Sequence, residues 1–188
     1  MSNIVDPLVE QIATRISTER EQRRWTLSQL ADASGVSRAM INRIERAESS
    51  PTAVVLGKLA AAFQVSVSAL LAPTEPSGVH RVAETPEWRD PATGYRRRQI
   101  TGPGFPTDIA EVHLPPGAHI PYPAASLAFQ REAVWVLEGH LTFHEGDVVH
   151  DLGPGDSIEV GEPVACVFAN TSEEECRYAI ILTRVGRP

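Results

Sequence analysis

The sequence predicts a two-domain protein, in which an all-α domain of about five short helices precedes an all-β domain, a small barrel of the jelly-roll type. Up to about residue 71, apolar residues recur at the three- and four-residue spacing of a helix face. After about residue 80, short alternating runs are separated by turn residues, which is typical of a sandwich or barrel. The segment APTEPSG between them is rich in Pro and small polar residues. We therefore predict domains at 1–71 and 80–188, joined by a linker at 72–79.

Four hydroxyl residues mark the starts of predicted helices. Thr26 precedes LSQLA, Ser37 precedes RAMINRIE, Thr52 follows a proline, and Ser66 precedes VSALL. A Ser or Thr at such a position accepts a hydrogen bond from an unpaired backbone N–H of the first helical turn. These signals divide the first domain into helices joined by tight turns.

The second domain is predicted to contain short strands and no long helix. The β-like runs are YRRRQI, DIAEVHL, AVWVL, HLTFH, SIEV, ACVFAN and RYAIILTRV. Turn signals such as Glu138-Gly139 separate these runs. The stretches 102–107 and 115–125 are rich in Pro and Gly, and we predict that both are loops.

Composition narrows the class of protein. The chain has 188 residues, 42% hydrophobic and 22% charged, which is ordinary for a globular protein. Its net charge of -7 is unevenly divided, because residues 1–72 hold eight Lys+Arg against seven Asp+Glu and residues 73–188 hold nine against seventeen. Cys166 and Cys176 are too few for a disulfide framework and are predicted to be unpaired thiols. No membrane span or secretory signal is visible, so we expect a cytoplasmic protein.

The strongest motif is LSQLADASGVSRAMINRIER, residues 27–46. Two helices that cross through a short turn need a small residue at their contact and a turn residue that tolerates positive φ; Ala31 and Gly35 meet these needs. Ile41 and Ile44 then face inward. The motif resembles the helix-turn-helix of Xre-type and phage repressors, and the resemblance covers roughly residues 9–71. It implies that the second helix of the motif enters the major groove of double-stranded DNA.

The resemblance also implies which side chains contact DNA. Residues on the outward face of the second helix are expected to meet bases, because Arg pairs with guanine, Asn with adenine, and an Ala methyl contacts a thymine methyl. Other polar residues around the motif are expected to bind the DNA backbone, which positions the protein without reading sequence. The predicted base-reading set is Arg38, Ala39 and Asn42, with Ser37 at the groove floor or a phosphate, and the predicted backbone set is Arg24, Gln29, Arg43, Arg46 and Ser50.

The second half resembles a cupin over about residues 108–184. In the first cupin motif a glutamate precedes a glycine, and here Glu132 and Gly139 have that spacing. The two histidines that normally precede the glutamate fall around Ala125 to Ala128, where no metal-ligand residue type occurs.

The second cupin motif is also incomplete. Gly155 and Asn170 are in place, but the Pro and Gly positions hold Gly161 and Pro163, and the His position holds Cys166. A cupin metal site needs three or four converging ligands. We therefore predict no metal, no cofactor and no catalytic residues.

The β domain is instead predicted to bind a small effector beside Glu132. Strand alternation places Val134 and Val136 on the same inward face as Glu132, with Trp135 outward. Nearby polar residues are expected to close the mouth of the barrel, where an arginine would suit a carboxylate on the effector. An alternative is that Glu132 merely pairs with a backbone N–H or with an arginine such as Arg177. The predicted effector site contains Tyr122, Gln130, Arg131, Glu132, Val134, Cys166 and Phe168.

The combination of the two motifs resembles a family of bacterial one-component transcription regulators. The resemblance implies a homodimer that binds an operator and a small, amino-acid-like effector. Two alternatives stay open: a cupin isomerase or oxygenase with a DNA-binding arm, and an antitoxin-like or structural dimer that binds no effector.

Overall fold

The structure of the chain is a computed structural model. It describes residues 7–72, 79, 81–83, 85–102 and 105–184. Most of the predicted linker, residues 73–78, lies outside the described residues. The predicted domain boundaries therefore stay predictions.

Five helices form within the described part of the first half, as the capping signals predict. They are α1 (Pro7–Gln22), α2 (Leu27–Ser34), α3 (Arg38–Glu45), α4 (Ala53–Phe63) and α5 (Val67–Leu71). The side chains of Thr26, Ser37, Thr52 and Ser66 each accept a hydrogen bond from a backbone N–H in the first turn of α2, α3, α4 and α5. These bonds satisfy donors that the helix itself leaves free.

The turn between α2 and α3 has the predicted geometry. Gly35 ends α2 with a φ of 66°, and its N–H donates to the carbonyl oxygen of Ala31. A left-handed residue at this position favours glycine, which has no Cβ to clash with the backbone. Ile41 and Ile44 are buried in the helical core, as predicted.

The second half forms two antiparallel sheets. Their strands are β1 (Glu87–Arg89), β2 (Arg96–Gln99), β3 (Thr107–Leu114), β4 (His119–Tyr122), β5 (Gln130–Glu138), β6 (Leu141–Glu145), β7 (Val148–Leu152), β8 (Ser157–Glu159), β9 (Cys166–Ala169) and β10 (Cys176–Arg184). The six-stranded sheet has the order β1-β2-β3-β10-β5-β8, and the four-stranded sheet has the order β4-β9-β6-β7. Aromatic rings join them: Phe168 on β9 stacks on Tyr178 of β10 with 5.7 Å between ring centroids.

The prediction of a loop over residues 115–125 is wrong, because it contains β4. Pro121 has no N–H to donate to a sheet, which made the segment look like a loop. β4 is an edge strand, hydrogen-bonded only to β9 in its sheet, so a proline is tolerated there. The short edge strands β1 and β7 were also absent from the predicted set of strands.

The helical half packs directly against the β half. The backbone N–H of Ala53 at the start of α4 donates to Asp90 at 3.2 Å, and Arg97 donates to the hydroxyl of Ser68 on α5 at 2.6 Å. Gly57 of α4 lies against the ring of Tyr122 so closely that a Cβ would stand 2.6 Å from Cδ1. Buried residues of both halves form one hydrophobic cluster.

Candidate functional site

The outward face of α3 is free of covering residues. Ile41 and Ile44 face the core, and Met40 packs partly against it. Arg38, Ala39 and Asn42 are all exposed. The Ser37 side chain caps the helix, because its hydroxyl accepts from the N–H of Met40. The structure thus brings the three predicted base-reading residues and Ser37 together on one accessible surface.

The predicted backbone-contacting residues surround that surface with varied exposure. Arg24, Gln29, Arg43 and Arg46 are exposed, whereas Ser50 is half-buried. The side-chain oxygen of Gln29 accepts from the N–H of Thr26 at 2.8 Å, which leaves its amide N–H groups available. Arg46 forms an exposed ion pair with Glu48 at 2.9 Å.

The outer face of α3 carries positive charge from Arg38 and Arg43, and the glutamate of the same helix, Glu45, is paired with an arginine of α1. Glu45 accepts two hydrogen bonds from Arg20 of α1, at 2.7 and 2.9 Å, and both side chains are mostly buried. Among the described residues, Arg38 and Arg43 have no ion-pair partner. Their charge is therefore free to attract an anionic surface such as a phosphate backbone.

Glu132 faces the interior between the two sheets. It lies on β5, where Val134 and Val136 are fully buried and Trp135 is 48% exposed, so the predicted alternation is confirmed. The amide of Gln130 donates to the Glu132 carboxyl at 3.3 Å. Arg177 pairs instead with Glu111 and Glu138, so Arg177 is not the arginine near Glu132; that arginine is Arg97.

A small cavity, the lumen cavity, opens beside Glu132. Its volume is about 30 Å³, and it is lined by Val67, Arg97, Tyr122, Ser126, Leu127, Gln130, Glu132, Phe168, Ile180 and Leu182. A cavity of this size holds a few waters or a ligand of few heavy atoms. Val67 belongs to α5, so the helical half forms part of the wall.

The lumen cavity holds two charged residues with perturbed acidity. Burial raises the pKa of Glu132 to about 7, although Arg97 and Gln130 offset part of the rise. Burial also opposes the charge on Arg97, yet its pKa lies above the ordinary value because Tyr95, Tyr122 and Glu132 favour the charged form. At neutral pH the guanidinium is therefore fully charged and Glu132 only partly so.

Arg97 is the cavity residue that the sequence reading missed. It is 4% exposed and lies on β2 between two partly exposed arginines, so RRRQ looked like a solvated strand face. The signal was the alternation itself, because Tyr95, Arg97 and Gln99 share one face and all three are buried.

Four of the predicted effector-site residues meet at the cavity, and three do not. Tyr122, Gln130, Glu132 and Phe168 line it. Val134 and Cys166 are buried and do not line it. Arg131 is exposed on a surface groove with Glu159, and this groove shares Leu127, Gln130 and Glu132 with the lumen cavity. Burial raises the pKa of the Cys166 thiol to about 12, and both cysteines are free, as predicted.

Family models match the helical half and the β half of the chain separately. A helix-turn-helix family model matches residues 16–70, and a cupin domain model matches residues 110–182. The HTH-type transcriptional regulator SutR of Escherichia coli (strain K12) is 27% identical over 183 residues, covering 93% of this chain and 95% of SutR. The chain is a helix-turn-helix transcriptional regulator with a cupin domain.

Solved structures support the fold of this regulator. An HTH_3 family transcriptional regulator from Vibrio cholerae aligns with a TM-score of 0.75 at 24% identity, covering 95% of this chain and 98% of its own. Apo-HppE aligns at 20% identity, covering 92% of this chain and 98% of its own; its TM-score of 0.45 is too low to bear on function. Each described helix of the regulator is too short or too polar to span a bilayer.

At the positions where a cupin carries its metal ligands, the structure, like the sequence, lacks a metal-binding arrangement among the described residues. Ala125 and Ser126 form a 3₁₀ turn, where the family's histidines would fall. Within the described residues, no three His, Cys, Asp or Glu side chains are grouped as metal ligands are. That no metal or cofactor binds stays a prediction.

Proposed function

We propose that this regulator binds a specific operator through the outward face of α3 and that a small effector in the lumen cavity changes its affinity for DNA. The exposed, positively charged face of α3 supports the first part. Direct packing of α4 and α5 against the β half supports the second, because a ligand in the cavity touches a wall that the helical half provides.

The proposed mechanism is thermodynamic linkage. A ligand that prefers one arrangement of the two halves shifts DNA affinity, and a coupling of about 1–3 kcal/mol makes a usable switch. We further propose a jelly-roll barrel, cytoplasmic location and a two-fold dimer that matches a pseudopalindromic operator. Sedimentation of the full chain with and without DNA tests the dimer.

The first experiment measures operator discrimination by α3 variants. Arg38→Ala and Asn42→Ala are each expected to lower discrimination between the operator and a mismatched site by about 1–3 kcal/mol. Arg46→Ala is expected to weaken binding to all sequences alike, because a backbone contact carries no sequence information. Fluorescence anisotropy with labelled duplexes at fixed salt measures both effects.

Lys58→Ala is the matched control, since it removes one exposed positive charge from α4 rather than from α3. It should leave discrimination unchanged. If both Arg38→Ala and Asn42→Ala also leave discrimination unchanged, the proposed reading surface is wrong.

An enzyme is the second candidate, favoured by one observation. A buried carboxyl with a pKa of about 7 suits a general acid or base at neutral pH. Stoichiometric Fe, Mn or Ni in protein purified without chelator would support a cupin isomerase or oxygenase. For the structural-dimer alternative, a thermal-shift screen with amino acids is decisive, because a bound ligand must raise the melting temperature.

A further inference from the structure

Two buried donors in the lumen cavity lack a partner. Among the described residues, Nε of Arg97 and Oη of Tyr122 are shielded from solvent and form no hydrogen bond of ordinary geometry. Both residues line the cavity. A buried polar group without a partner is costly, so a group that accepts from both would be stabilised there.

The two terminal nitrogens of the Arg97 guanidinium, Nη1 and Nη2, both donate hydrogen bonds within the protein. Nη1 donates to the Tyr95 hydroxyl at 3.3 Å, and Nη2 donates to the Ser68 hydroxyl at 2.6 Å. Ser68 is fully buried on α5. Among the described residues, the hydrogen-bond acceptor of Nη2 therefore belongs to the helical half of the molecule.

The lumen cavity also has a deficit of negative charge. Its titratable residues are Arg97, Glu132 and Tyr122, and only Glu132 can supply an anion near neutral pH. Burial favours the protonated form of that carboxyl, so the guanidinium is incompletely balanced. A buried cation of this kind favours an anionic ligand.

We propose that the lumen cavity binds the carboxylate of a small organic acid through the Nε–Nη2 edge of Arg97, with Tyr122 as a second donor. That edge presents two nearly parallel N–H groups, the geometry that a carboxylate accepts in a bidentate manner. The cavity volume limits the acid to about the size of formate or acetate unless α5 moves. Nη2 carries two N–H groups, so the ligand accepts from one while Ser68 accepts from the other, and the guanidinium then connects the ligand to the helical half.

This inference rests on the proposed function for its biological meaning, since it names the class of effector and the guanidinium that joins it to the helical half. The binding itself is tested without DNA. Acetate is the probe, and acetamide, which has the same shape and no charge, is its control. Affinity is measured on the full chain by calorimetric titration at pH 7 with ionic strength held constant by chloride.

Three substitutions sharpen the test. Arg97→Met is expected to weaken acetate binding by about 10- to 100-fold, because it removes a charged hydrogen-bond donor. Arg96→Met is the matched control, being the same change at the adjacent residue of β2, and it should have no effect. Ser68→Ala is expected to change acetate affinity less than about threefold, because Nε and the other N–H of Nη2 still donate to the carboxylate.

Acetate-specific binding that is lost in Arg97→Met and kept in Arg96→Met and Ser68→Ala is the expected result. Equal binding of acetate and acetamide, or undiminished binding in Arg97→Met, overturns the proposal. If Arg97→Met does not fold, Arg97→Lys decides, because it keeps the charge and loses the parallel pair of N–H groups; undiminished acetate binding there overturns the proposal. DNA discrimination by α3 variants is measured without acetate, so its failure identifies an error in the proposed function instead.

Discussion

Replacing Glu132 with Gln is expected to change how the free energy of unfolding depends on pH. The substitution keeps the shape of the side chain and removes its charge. Burial raises the pKa of the Glu132 carboxyl from 4.5 to about 7. One pKa unit corresponds to about 1.4 kcal/mol, so keeping an ionised Glu132 in the fold costs roughly 3 kcal/mol.

The sign of this pH dependence follows from how tightly the folded and unfolded states bind the Glu132 proton. Between pH 4.5 and about 7 the folded state holds the Glu132 proton more tightly than the unfolded state does. The contribution of Glu132 to the stability of the wild-type protein therefore falls as pH rises through this window and levels off above it. Arg97, Tyr122 and Cys166 are the other titratable groups that interact with this carboxyl, and none of them is expected to change charge in the window.

Urea unfolding of the wild-type protein and Glu132→Gln at pH 5, 6, 7 and 8 gives the test. All other titrations are common to both proteins and cancel in the difference. The stability advantage of Glu132→Gln should grow by roughly 3 kcal/mol between pH 5 and pH 8. A difference that is constant with pH would show that Glu132 stays ionised in the fold and that the reasoning from burial is wrong.

Two glycine substitutions test close packing by denaturant unfolding. Gly57→Ala should lower stability by about 1–2 kcal/mol despite a better helix propensity, because its Cβ would stand 2.6 Å from the Tyr122 ring; a gain in stability would show that the ring yields. Gly139→Ala should lose roughly 2–4 kcal/mol, because its φ is 73° and its Cβ would lie 2.5 Å from the carbonyl oxygen of Glu175. Gly117→Ala is the control, with the same φ and open space around the Cβ, and should lose only about 1 kcal/mol; equal losses would contradict the argument from contact.

Local patterns were sufficient to predict the helical half. The caps at Thr26 and Ser37, the turn at Gly35 and the inward isoleucines all depend on residues a few positions apart, so the sequence carries them directly. The same locality predicted the inward position of Glu132 from strand alternation.

The features that the sequence did not predict depend on contacts between residues far apart in the chain. β4 is a strand because β9 pairs with it, and the residues HIPY alone do not predict that pairing. Arg97 is buried because Ser68 and Tyr95 meet it inside the molecule, although an arginine between two others is ordinarily solvated. The lumen cavity is lined by Val67 of α5 together with residues of the β half. Its lining could therefore not be predicted without knowing how the two halves pack.

The hydrogen bonds of the Asp90 side chain limit how the helical half of such a regulator can be exchanged for another. It closes its own turn by accepting from Thr93, and it also accepts from the first N–H of α4. A helical portion taken from another regulator would need an N–H that reaches Asp90 and a glycine that fits against Tyr122. Exchange of a whole half is therefore constrained by the packing between the two halves.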